Sequence, residues 1–168
     1  MAMTARQTLT LTRTARNTYV LPGSAQPAVL TLSSWRSKAD ATIAGTPYEL
    51  TMSGLLDRAA TARRPGHDEP IMRIGRKSCV LPSGHSAVWK VKRGWHGYNA
   101  TLRADGLGEI SLHLGRRARS DIVAEVAAEW PERDLVVLTA AFALLIRRRD
   151  DSRSSDAGAA TVAGAATS

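Results

Sequence analysis

Over the first two thirds of the chain, hydrophobic and polar residues alternate in short stretches. Ile110, Leu112 and Leu114 alternate with Ser111 and His113, and Val88 and Val91 stand near Lys90 and Lys92. A period of two puts successive side chains on opposite faces of an extended strand, one dry and one wet. The same rhythm predicts strands over 8–12, 17–21, 28–35, 41–44, 48–52, 71–74, 86–92, 98–103 and 109–114. Between them stand Pro22-Gly23, Gly45-Thr46-Pro47, Pro65-Gly66-His67-Asp68, Pro82-Ser83-Gly84 and Asp105-Gly106, residue types that supply the dihedrals and local hydrogen bonds of turns. Two stretches are open. In 55–62 composition favours a short helix and the neighbouring segments favour a strand. In 121–130, Ile122, Ala124, Val126, Ala128 and Trp130 alternate as a strand does, although Ser120 and Asp121 also suit a helix cap; the alternation favours the strand. Residues 1–16 are either the first strand or a loose arm, and the Thr/Leu alternation of 8–12 favours the strand.

From Leu135 to Ile146 the pattern changes, because this run is apolar at every position but Thr139. Pro131 suits a first helical position, Glu132 and Asp134 lie where the helix dipole is positive, and Arg147, Arg148 and Arg149 lie where it is negative, so a helix is predicted over about 131–149. A helix that is apolar all round has no wet face and has to be surrounded. A β-barrel or strongly curved antiparallel sheet wrapped around it, mainly β overall, meets that requirement. The twelve-residue run reaches only about 18 Å against a hydrocarbon core of about 30 Å, so it is too short to span a bilayer. Residues 150–168 form an Ala/Gly/Ser/Thr tail without a large apolar side chain and are predicted to be disordered, which leaves 1–149 as a single domain.

Length agrees with one domain: 168 residues at 18.0 kDa bury a core without crosslinks. The lone cysteine, Cys79, excludes an internal disulfide framework and a cysteine-based zinc site and points to a reducing compartment; the first sixteen residues lack the apolar run of a secretory signal. The expectation is a cytoplasmic protein, with a peripheral place at the inner membrane surface left open.

The stretch from Ile122 to Arg149, in which Glu129-Trp130-Pro131 leads through an acidic residue into the apolar helix, resembles the tubby C-terminal-like superfamily. That superfamily includes the LURP-one-related proteins, their small bacterial relatives and the phospholipid scramblases. Asp134, Leu135, Ala140, Ala141, Phe142, Leu144 and Leu145 carry most of the likeness. The resemblance implies a closing helix threaded through a closed barrel of about a dozen strands. It implies roles only broadly, from phosphoinositide-dependent tethering to lipid transport. Two departures stand: the chain has no acidic calcium-loop pattern near its carboxyl end, and the lysine and arginine pair of tubby phosphoinositide sites matches no particular residues here.

Enzyme chemistry finds little support in the spacing. His67, His85, His96 and His113 include no pair at i, i+4, and His85 and Ser86, being adjacent on a strand, face opposite ways. Gly106-Leu107-Gly108 is not followed by the lysine of a phosphate loop. No enzyme, cofactor or metal is expected. Charge is more telling. The whole chain carries +8, and from Arg58 to Arg119 there are thirteen basic and four acidic residues, whereas from Ser120 to Leu135 there are one and five. Trp89-Lys90-Val91-Lys92-Arg93-Gly94-Trp95 interleaves cations with rings, and Arg116-Arg117 follows a strand. The expected function is a non-enzymatic binding or scaffold module that recognises an anionic surface such as phospholipid headgroups through Lys90, Lys92, Arg93, Trp95, Arg116 and Arg117. A basic barrel that binds nucleic acid through the same residues is the alternative, and a protein partner is also open.

Overall fold

The computed structural model describes residues 5–22, 26–117, 119–127 and 130–164, with side chains as far as residue 158. Among the described residues, twelve strands precede one helix: β1 (Gln7–Ala15), β2 (Thr18–Leu21), β3 (Ala28–Leu32), β4 (Lys38–Ile43), β5 (Thr46–Ser53), β6 (Ala59–Arg63), β7 (Met72–Gly75), β8 (Cys79–Val80), β9 (Ala87–Gly94), β10 (Gly97–Ala104), β11 (Gly108–Gly115), β12 (Ile122–Val126) and α1 (Arg133–Gly164). Successive strands pair antiparallel, and β12 returns to pair with β1. Only β8 and β9 lack a ladder; the single bridge between Val80 and Ser86, and the Leu81 N–H donating to the His85 carbonyl at 2.9 Å, draw the two edges into a nearly closed barrel.

The period of two decides which side chains enter the barrel. One lateral row runs Leu9, Ala124, Leu112, Ala100, Val91 across five strands, large and small side chains alternating. Four of the five are buried and Val91 is half-buried at the sheet edge. Such alternation leaves room for a helix at the axis while filling the space around it. The outer wall is polar: Thr8, Thr10, Asp40, Lys90, Asn99, Arg103, His113 and Glu125 are exposed. It therefore lacks the outward apolar band of a membrane-spanning barrel. No described helix is long and apolar enough to cross a membrane.

Within the barrel lies α1, and Val136, Val137, Leu138, Ala140, Ala141, Phe142 and Leu144 are fully buried. Thr139, the one polar residue of the run, donates its hydroxyl to the Leu135 carbonyl at 2.8 Å and is satisfied without leaving the helix. Lengths match: an eight-residue strand spans about 26 Å, and the seventeen residues from Arg133 to Arg149 rise about 26 Å. The change from apolar to charged sequence at Arg147 falls where the strands run out.

Several expectations are refined. The stretch 55–62 resolves into an exposed loop and the strand β6, whose Ala60 and Ala62 are buried against the core; small side chains let this strand contact α1. Residues 121–130 supply β12, with 128 and 129 outside the described residues, and β1 accounts for the amino-terminal stretch from Gln7. The turn placed at Gly45-Thr46-Pro47 lies one residue earlier, at Ala44 and Gly45, both with positive φ (50° and 78°), as a tight hairpin connection needs. Pro131 is not the first helical residue: it sits in a turn with Glu132, whose φ of 52° lies in the left-handed region and whose carbonyl accepts the Val136 N–H. The helix begins at Arg133.

The larger correction concerns the tail expected to be disordered from 150. The helix continues to Gly164; residues 165–168 lie outside the described part. The alanines of its last turns, with the highest intrinsic helix propensity, favour it; the hydroxyls of Ser152, Ser154 and Ser155 each bond the carbonyl four residues back at 3.0 Å and are satisfied without leaving the helix. Absence of large apolar residues excludes a packed core but not a helix.

Phe142 is fully buried at the barrel axis. Phe142→Ala is expected to lower the unfolding free energy by about 3–5 kcal/mol in a single cooperative transition, read by denaturant titration.

Candidate functional site

In an up-and-down antiparallel sheet, the connections after odd-numbered strands all lie at one end. Here that end is also where α1 leaves the barrel, because Arg149 donates to the Arg36 carbonyl (3.3 Å) in the β3–β4 connection and Arg148 donates to the Gly115 and Arg117 carbonyls (3.0 and 2.8 Å) after β11. The six exit-end connections carry Arg16, Arg36, Arg58, Arg76, Lys77, Arg116, Arg117 and Arg119 against only Asp57 and Asp121. The described residues of the opposite connections carry Arg64 against Asp68, Glu69, Asp105 and Glu132. The barrel is electrically polarised along its axis, positive where the helix leaves.

Asp150 and Asp151 of α1 hold this collar to the helix. Arg58 pairs with Asp150. The Tyr98 hydroxyl donates to Asp151 at 2.7 Å, and the Arg93 guanidinium stands 3.5 Å from the same carboxylate. Burial pushes the Tyr98 phenol above its ordinary range, and the hydrogen bond to Asp151 and its negative charge push in the same direction. Arg149 is shifted the other way, lowered by burial and then by the neighbouring Arg153. Asp121 accepts the Arg13 backbone N–H at 2.9 Å, which ties the β11–β12 connection to β1. The β9–β10 turn is seated by Gly97, with φ 139°, where a Cβ would stand 2.1 Å from the Leu114 carbonyl oxygen, so only glycine lets β10 approach β11 this closely.

Of the six residues expected to bind anions, the structure gathers four at the exit end. Trp95 is at the tip of the β9–β10 turn and 87% exposed. Arg116 donates to the Trp95 carbonyl at 3.3 Å, Arg117 is exposed beside it, and Arg93 lines a cleft of about 240 Å³ with Tyr98, Arg116, Arg148 and Asp151. Arg93 is thus partly occupied by Asp151. Lys90 and Lys92 stand elsewhere, on the outer wall of β9, Lys90 about 16 Å from the turn along the strand. Because β9 is a sheet edge, charge there resists pairing with another chain, a structural duty that accounts for both lysines. Trp89 is half-buried, packed on the core beside the β8–β9 seam, and does not share the exposure of Trp95.

Sequence reading missed Arg16, Arg36, Arg76 and Lys77, which are far apart along the chain and meet only because alternate connections share an end. It also missed the exposure of the loop apolar residues Trp35, Leu55 and Leu56, at 88%, 98% and 101%. Their signal was present: apolar residues in short segments flanked by Ser or Gly and an arginine, at odd places in the strand rhythm.

At the entry end, a cavity of about 890 Å³ is lined by residues including Arg6, Tyr48, Trp130, Glu132, Arg133 and Asp134. The Trp130 indole N–H is buried without a partner. Its cations are already engaged, Arg133 with Asp134 (3.0 Å) and Gln7 (2.8 Å), and Arg6 with Glu125 (3.9 Å). Among the described residues, no group of three or more His, Cys, Asp and Glu side chains is placed to hold a metal ion. Cys79 is buried, and desolvation pushes its thiol up to about 11, away from the reactive thiolate.

Asp151→Ala is expected to leave the Tyr98 hydroxyl without its acceptor, costing about 1–3 kcal/mol of stability. It should also lower the pH at which Tyr98 ionises, since two of the three influences that raise it are removed; absorbance titration near 295 nm reads this directly.

In comparison with known proteins, the chain matches no family model, no curated protein and no solved structure, so the reading of this surface rests on its own geometry.

Proposed function

We propose that the chain is a non-enzymatic binding module whose positively charged barrel end docks on an anionic surface, with phospholipid headgroups as the ligand. The observation that carries this reading is the charge polarity between the two barrel ends, eight basic and two acidic residues in the exit-end connections against the reverse imbalance at the other. A polarised particle approaching an anionic plane is turned so that its positive end leads. A carrier role with a ligand at the barrel axis is disfavoured by the helix side chains that fill it. The kinship with tubby-like proteins belongs to the same reading and rests on the sequence of residues 122–149.

Magnitude limits what charge alone achieves. A Lys or Arg close to an anionic membrane contributes about 1 kcal/mol. The excess of six charges would therefore supply at most about 6 kcal/mol, between millimolar and micromolar affinity. That attraction is screened over about 8 Å at physiological ionic strength. Binding should accordingly be reversible and salt-sensitive.

Co-sedimentation with neutral and anionic phospholipid vesicles at two salt concentrations, with single-stranded DNA as competitor, tests the proposal. Capture by anionic vesicles alone, weakened by salt and by Arg36→Glu/Arg117→Glu, and not displaced by DNA, is the expected outcome. Binding to DNA in place of vesicles would transfer the surface to nucleic acid, and binding to neither would overturn the reading.

A further inference from the structure

Four large apolar side chains in the described part of the molecule are almost fully exposed: Trp35 (88%), Leu55 (98%), Leu56 (101%) and Trp95 (87%). All four lie at the positive end. Trp35 is in the β3–β4 connection, Leu55 and Leu56 are in the β5–β6 connection, and Trp95 is in the β9–β10 turn. The other exposed large apolar residues, Val80, Val88 and Val123, belong to strands and are 37–57% exposed. Stranding hydrophobic tips on one end of a barrel is costly in water, and none of the described elements packs over them.

From this placement we infer that the three connections form a membrane-inserting rim, Trp35, Leu55, Leu56 and Trp95 entering the interfacial and upper acyl region of an anionic bilayer. The inference rests on the headgroup reading above and adds a second, apolar contribution to it. Three observations favour a bilayer over a protein groove. Cations stand beside the tips: Arg36 follows Trp35 and Arg116 bonds the Trp95 carbonyl, while Arg58, which closes the loop of Leu55 and Leu56, is held by Asp150. That arrangement puts positive charge at headgroup depth just behind apolar tips. The residue types also suit depth: tryptophan prefers the membrane interface, whereas leucine gains from the acyl region. Finally, the tips sit on three different loops, and a fluid surface can adapt to each.

Beyond Arg148 the helix emerges among the same loops: Arg149 bonds the Arg36 carbonyl, Asp150 pairs with Arg58, and Asp151, Ser152, Ser155 and Asp156 line a cleft with Arg93 and Arg116, so the tips form a rim around the emerging helix. Two contributions of moderate strength, charge and apolar insertion, are what stable peripheral binding requires, since one alone is marginal.

The four tryptophans make the test direct, because Trp130 is buried, Trp89 is half-buried and only Trp35 and Trp95 are exposed tips. With full-length protein and phosphatidylcholine vesicles containing phosphatidylglycerol, tryptophan emission is expected to shift to the blue and to be quenched by bromine placed on the acyl chains. Both signals should vanish in Trp35→Phe/Trp95→Phe. Leu55→Ser/Leu56→Ser, which alters only exposed loop side chains, should weaken vesicle binding about tenfold or more while thermal unfolding stays unchanged. Salt-sensitive vesicle binding without a blue shift or quenching would overturn insertion and leave headgroup docking standing; no vesicle binding at all would overturn both. Concentration-dependent self-association abolished by Leu55→Ser/Leu56→Ser, in place of vesicle binding, would assign the tips to a second copy of this chain and also overturn the inference.

Discussion

The structure depends on one constraint: a helix with no polar face can exist in water only when it is enclosed on every side. Between Leu135 and Ile146 each residue is buried, and Thr139 is satisfied by a carbonyl of its own helix. The sheet has the reciprocal need, because its inward rows alternate large and small side chains and would leave a channel without the helix. Neither element has a separate core. The dependence also sets lengths, since the strands match the helix as far as Arg149 and the sequence becomes charged where the wall stops.

Where the helix emerges, its polar residues become the means of holding the barrel end. Asp150 and Asp151 take Arg58, Arg93 and the Tyr98 hydroxyl, and Arg148 and Arg149 take backbone carbonyls of two connections. These partly exposed ion pairs contribute little individually. Their value lies in position, for they keep the collar in register around the helix and leave the remaining cations facing outward. The apolar loop tips sit on the same end, so charge and exposed hydrophobic surface coincide at one pole of the molecule.

Much of the fold was legible because burial imposes a period of two on strands and an unbroken apolar run on an enclosed helix. What stayed hidden has particular causes. The strand β8 is two residues long and leaves no periodic trace. Residues 55–62 read as helix by composition because alanines are good helix formers, yet Ala60 and Ala62 serve as small inward residues of a strand facing the helix. The segment after Asp150 read as disordered because it lacks core-forming residues, while alanine propensity favours the helix that runs to Gly164. Of the candidate site, Arg93, Trp95, Arg116 and Arg117 were found through their local clustering. Lys90 and Lys92 were grouped with them by adjacency, which takes no account of a strand that sets both on its outer wall, Lys90 about 16 Å from the turn. Arg16, Arg36, Arg76 and Lys77 were invisible as a group because only the topology brings alternate connections together.

The most direct test of the central claim is native-state amide hydrogen exchange resolved along the chain. If the helix is the barrel's core, amides of 136–146 and those of β1, β11 and β12 will share one opening free energy, that of global unfolding, with equal denaturant dependence. Fast exchange in 136–146 while those strands remain protected would mean that the barrel stands without its helix, and would contradict the account.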